Sequence, residues 1–165
     1  MENIILIGMP TAGKSTIGVI LAKVLGYDFI DTDLLIQARE KKLLKEIIES
    51  KGLRGFVTIE NEVNAHIIAN RSVIATGGSV IYGEEAMEHL REIGKVVYIK
   101  LSYSAIKRRL LDAKQRGVVL KDNQTLYELY KERCPLYEKY AHVIIKGNNK
   151  NIETLVQEII DKTIN

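Results

Sequence analysis

Ile4-Ile5-Leu6-Ile7-Gly8-Met9-Pro10-Thr11-Ala12-Gly13-Lys14-Ser15-Thr16-Ile17-Gly18 is the stretch that decides the fold of this chain. Its apolar head predicts a buried strand over 3–7, and the helical period of Ile17, Ile20, Leu21 and Val24 predicts a helix over 14–25. Between them, Gly8 to Ser15 matches GxxxxGK[ST] without a gap. The glycines permit a tight loop whose backbone N–H groups turn inward toward phosphate oxygens. The helix that starts near Lys14 adds the positive end of its dipole. Lys14 is placed to reach the β- and γ-phosphates of a nucleotide, and the Ser15 hydroxyl to ligate Mg²⁺. A glycine-rich turn ahead of a surface helix is the alternative, but a strand before and a helix after are the setting this motif requires.

Outward from the loop, short β-branched runs alternate with longer stretches of helical period. Strands are expected over 27–30, 72–75, 96–101 and 142–145, and helices over 33–39, 43–49, 55–70, 84–93, 103–111 and 125–137, with a closing helix from Ile152. A polar loop rich in Lys, Gln, Gly and Asp separates two of the helices, at 113–123. Five alternations of strand and helix predict an α/β fold, a parallel sheet with helices on both faces and ligands beyond the carboxyl ends of the strands. The two prolines mark no linker and no segment repeats, so one domain over 1–165 is expected.

At 165 residues the chain suits a single compact domain that buries most of its apolar surface. The net charge is +3, with no basic stripe interleaved with aromatics, so nucleic acid is not an expected partner. The single cysteine, Cys134, excludes an internal disulfide and a multi-cysteine metal site, which suits the cytoplasm. The first apolar run is too short for a signal peptide or a membrane span, so no membrane partner is expected. His66, His89 and His142 lack metal-ligand spacing.

Three groups of residues fall where a ligand would lie. Asp31 and Asp33 follow the second strand; one could organise hydrated Mg²⁺ and the other orient an accepting hydroxyl, though either could cap the next helix. Gly77 and Gly78 follow the third strand, where glycine lets a ligand approach the backbone, with a plain turn as the alternative. Arg116 lies in the polar loop, which could act as a lid. Arg133 precedes Cys134-Pro135-Leu136-Tyr137, and Arg108 and Arg109 are adjacent on a helix, so one of those two at most should face a ligand.

The order Gly-Met-x-x-Ala-Gly-Lys-Ser-Thr-Ile-Gly, Asp31-x-Asp33, Gly55-Phe56-x-x-x-Glu60, Ala75-Thr76-Gly77-Gly78, a lid arginine and Glu132-Arg133-x-Pro135-Leu136-Tyr137 resembles the shikimate kinase family over essentially the whole chain. The resemblance implies a three-layer α/β/α P-loop kinase fold with a five-stranded parallel sheet and a mobile lid at about 113–123. It implies transfer of the ATP γ-phosphoryl group to shikimate, with Mg²⁺, by a monomer acting on a small molecule. ATP would be held by Gly8, Ala12, Gly13, Lys14, Ser15, Thr16 and Arg109, and Mg²⁺ by Ser15 and, through water, Asp31. Lys14, Asp33 and Arg116 would be catalytic, and shikimate would meet Asp33, Gly77, Gly78 and Arg133.

Three departures stand out. Where the family has Gly-Phe-Arg this chain reads Gly55-Phe56-Val57; its third pocket glycine is Ser79; its lid Arg-Pro is Arg116-Gly117. A charge-assisted bond to a carboxylate is worth about 1.5–3 kcal/mol, so the missing arginine would weaken shikimate binding roughly 10- to 150-fold. Arg54 compensates only if it faces the pocket. A different hydroxylated metabolite is therefore the second expectation, and a nucleotide-binding module without turnover the third.

Overall fold

The computed structural model describes residues 2–112 and 124–165. Strand β1 (Asn3–Ile7) leads through the glycine loop into α1 (Lys14–Leu25); β2 (Asp28–Asp31), α2 (Thr32–Glu40) and α3 (Leu44–Ala65) follow. Next come β3 (Ser72–Ala75), a 3₁₀ turn (Val80–Tyr82), α4 (Glu84–Ile93), β4 (Gly94–Lys100) and α5 (Tyr103–Asp112). The chain closes with α6 (Leu126–Tyr140), β5 (Val143–Lys146) and α7 (Ile152–Thr163). All pairings are parallel, in the order β2-β3-β1-β4-β5.

Every residue of β1 is buried. Successive side chains of a strand point to opposite faces, so burial of all of them requires cover on both. The helices supply it, and the sheet becomes the middle layer of three. A single core runs from Ile4 through Val97 to Ile159, and a smaller one (Ile36, Ile47, Phe56 and Ile59) fastens α2 to α3. Parallel pairing brings the ends of β1, β2 and β3 to one edge, where the order reverses between β3 and β1. The loops that follow these strands must meet there. Among the described residues no helix is long and apolar enough to cross a membrane.

Three expectations about elements meet the structure differently. Val24 is 60% exposed, because α1 buries a stripe through Ile17, Gly18, Leu21 and Ala22. Gly18 sets that rotation: a Cβ there would stand 2.7 Å from the Phe29 ring of β2, so only a bare α-carbon lets the helix lie this close. The helix expected over 55–70 ends at Ala65, where the Asn64 amide folds back to donate to the Glu60 carbonyl. Ile67 then enters the core while Ile68 stands exposed. The two helices expected over 43–49 and 55–70 are present as the two parts of α3, which meet at a kink at Gly52, whose φ of 71° falls in the left-handed region.

Candidate active site

The glycine loop is held in a conformation that only part of its sequence accepts at no cost. Gly8 has φ 151°, and a Cβ there would lie 2.8 Å from the Ile99 carbonyl oxygen of β4. Thr11, not a glycine, has φ 68°, the kind of backbone strain found at ligand-binding loops. Gly13, at φ 90°, opens α1 with no side-chain cap, which leaves the first N–H groups of the helix for a ligand. Lys14 is buried and its Nζ donates to the carbonyls of Gly8 and Met9, each at 2.8 Å. Burial brings its ammonium down to about 8, against the pull of Asp33. Ala12 is buried under the loop, and Thr16 lies exposed on the first turn of α1 beside Ser15.

Asp31 uses both of its carboxylate oxygens. One carboxylate oxygen caps α2 by accepting from the Asp33 amide at 3.0 Å; the other accepts from Ser15 Oγ at 3.1 Å. A hydroxyl and one carboxylate so paired suit Mg²⁺, which keeps several waters and takes one or two carboxylates plus phosphate oxygens. Asp33, half-buried, holds its proton more tightly than an ordinary aspartate, chiefly through burial and then through repulsion from Asp31, with Lys14 opposing.

Gly77 and Gly78 are closely approached by what faces them. A Cβ on Gly77 would lie 2.7 Å from Glu60 Oε2 and 2.9 Å from Asp33 Oδ1; one on Gly78 would meet Pro10 Cδ at 2.7 Å and Arg133 Nη1 at 3.0 Å. These two glycines thus bring β3's exit loop against the P-loop, both carboxyl groups and the arginine. Arg133 is almost wholly buried, its guanidinium lying 5.4 Å from the centre of the Tyr82 ring. Tyr137, one turn along α6, donates to the Gly78 carbonyl at 2.6 Å and fixes the loop to the helix that carries Arg133.

Arg109 lies on the other side of the loop. Its Nη1 donates to the Thr11 carbonyl at 3.0 Å, and it borders a polar cleft of about 350 Å³ lined also by Ser102, Ser104 and the 147–150 turn. Arg108 borders the same cleft. Arg116 and Gly117 lie outside the described residues, as does the expected lid at 113–123. Arg54 is exposed at the solvent side of α3, and among the described residues its guanidinium has no hydrogen bond to the cluster.

Two residues that the sequence offered only as motif positions, without a role, meet in the site. Glu60 and Ser79 are both buried, and Ser79 Oγ donates to Glu60 Oε1 at 2.5 Å. An acidic residue on the same helical stripe as Phe56 and Asn64 was the available signal, since a carboxylate seldom occupies a buried face without a task.

A family model described as shikimate kinase matches residues 10–164 of the chain. A shikimate kinase of Clostridium botulinum (strain Langeland) is 44% identical over 154 residues, covering 90% of this chain and 89% of the relative. One of Nitrosomonas europaea is 37% identical and covers 97% of this chain and 77% of its own. Among solved structures, shikimate kinase from Acinetobacter baumannii in complex with shikimate superposes with a TM-score of 0.88 at 34% identity, covering 98% of this chain and 92% of that one. The enzyme of Aquifex aeolicus does so at 0.80 and 33%, covering 96% and 94%.

Proposed function

The chain belongs to the shikimate kinase family, and from that premise we propose how its own residues move the γ-phosphoryl group of ATP onto the 3-hydroxyl of shikimate. The observation that carries the assignment is the meeting, at one edge of the sheet, of Lys14 after β1, Asp31 and Asp33 after β2 and Gly77-Gly78 after β3, with buried Arg133 beside them.

Amide groups of the Gly8–Ser15 loop and the start of α1 hold the phosphates, joined by Ala12 and Thr16, while Arg109 lies along the adenine side of the cleft. Lys14 exchanges the Gly8 and Met9 carbonyls for phosphate oxygens, a better match for a buried ammonium. Ser15 and, through water, Asp31 would hold Mg²⁺, which would offset negative charge on the phosphates. Asp33 orients the shikimate hydroxyl and accepts its proton as the new O–P bond forms. The bond from Pγ to the β–γ bridging oxygen breaks, and its electrons leave with ADP. Arg133, fixed by Tyr82 and the Tyr137 helix, takes the shikimate carboxylate against Gly78. Arg116 enters on the resemblance alone, as a cation near the transferred group.

A coupled assay of ADP release tests the assignment, with turnover above the blank expected only when shikimate is added. Turnover no faster than the shikimate-free rate would overturn it. Val57 sharpens the test. It lies half-buried one helical turn before Glu60, without a charge to offer. Val57→Arg is expected to lower KM for shikimate by about tenfold or more, the worth of one charge-assisted bond. An unchanged KM would mean that position 57 does not face the acceptor.

A further inference from the structure

Glu60 is the buried ionisable group at this edge to which phosphoryl transfer assigns no task. Ser79 Oγ satisfies its Oε1, while Oε2, fully shielded, has no hydrogen-bond partner among the described residues. That oxygen points at the bare α-carbon of Gly77, next to Asp33 Oδ1, and so into the space assigned to the acceptor. An arginine at position 57 would neighbour Glu60 on α3 and hold it ionised; Val57 does not, and among the described residues the one donor to the carboxyl is the Ser79 hydroxyl. An ionised carboxylate left buried with one oxygen unsatisfied is among the costliest arrangements a core can hold. A neutral carboxyl has no such difficulty, because its O–H becomes a donor aimed at the pocket.

Resting on the assignment of shikimate as acceptor, we propose that Glu60, clamped by Ser79, is a substrate-binding residue that works in its protonated form, donating from Oε2 to an oxygen of the anionic acceptor. The pair thereby fills the place of a second arginine, and the acceptor becomes tied to pH. The charged groups facing Glu60 are Asp33 of α2, Lys14 of α1 and Arg133 of α6. Burial pushes its carboxyl up to about 7; Ser79 draws it down, Asp33 adds to the rise, and the two cations oppose it. Below that pH the group donates. Above it, the pocket carries an anion facing the carboxylate of the substrate.

The test is the KM for shikimate over roughly pH 5.5 to 8.5, a window in which the substrate's own carboxylate stays ionised. KM is expected to rise with pH above neutrality, by up to about tenfold per unit for one coupled proton, while KM for ATP follows a separate profile. In Glu60→Gln, which keeps the shape and a donor, the rise disappears. In Ser79→Ala the rise moves to higher pH, because the lost hydroxyl favoured the ionised form. A merely structural pair would move neither profile. Calorimetry of shikimate binding to the wild-type chain, in two buffers of different ionisation heat at about pH 8, should show uptake approaching one proton. Buffer-independent heat, a flat wild-type KM, or a slope retained in Glu60→Gln overturns the proposal and leaves the acceptor assignment standing. No binding of shikimate at any pH overturns both.

Discussion

Lys14→Met is expected to reduce kcat by about 100- to 1,000-fold or more, the range seen when one preorganised donor to a developing anion is removed. The chain should nevertheless keep its fold. Lys14 is buried, and among the described residues its charge meets the Gly8 and Met9 carbonyls and carboxylates that make no direct pair with it. The fall of its ammonium from 10.5 to about 8 corresponds to a burial cost on the order of 3 kcal/mol. Methionine fills the same space without that cost, at the loss of two hydrogen bonds to the Gly8 and Met9 carbonyls. Tm should therefore stay within about 4 °C of wild type, or rise, since 1 kcal/mol moves a domain of this size by only a few degrees. Loss of activity with Tm held identifies a group positioned for phosphate. A drop in Tm well beyond that limit would make Lys14 a structural residue and leave the cradle without its cation.

The ease of reading the fold and the difficulty of reading the site have different physical origins. Fully buried parallel strands leave continuous apolar runs, so Ile4 to Ile7, Val73 to Ala75 and Val96 to Ile99 announce themselves, and the loop motif ties the first of them to a helix. Helix faces are less legible. Val24 shares the period of Ile17 and Leu21, but the close approach of Gly18 to Phe29 turns the helix away from it, and nothing local encodes that contact. In the site, groups next to each other in sequence were readable: Asp31 and Asp33, or the 8–15 loop. Groups joined only by folding were not. Ser79 and Glu60 are nineteen positions apart and meet because α3 packs across the exit of β3. The glycine at position 77 was legible as a place where a ligand could approach the backbone or the chain could simply turn; the two carboxyl oxygens that close on its α-carbon belong to the tertiary structure.

Asp33→Asn should lower kcat by about 100- to 10,000-fold, the usual contribution of a positioned proton acceptor, with KM for ATP changed little. The amide keeps the volume beside Gly77 and can still accept from a hydroxyl through its carbonyl, so the loss falls on proton transfer and not on packing. Stability should hold or increase, because Asp33 carries a charge that burial and Asp31 both disfavour. Asp31→Asn separates the two aspartates. Asparagine caps a helix as well as aspartate does, so the bond from the Asp33 amide survives and α2 stays anchored. What disappears is the negative charge facing Ser15. The Asp31 variant should thus recover activity as Mg²⁺ is raised, by virtue of mass action at a weakened site, whereas the Asp33 variant should not respond to the metal. Titrating Mg²⁺ against initial rate in the two proteins decides it. If Asp33→Asn is rescued by Mg²⁺ and Asp31→Asn is not, the two carboxylates have exchanged roles: the cap is then the residue that meets the acceptor, and the group beside Gly77 holds the metal.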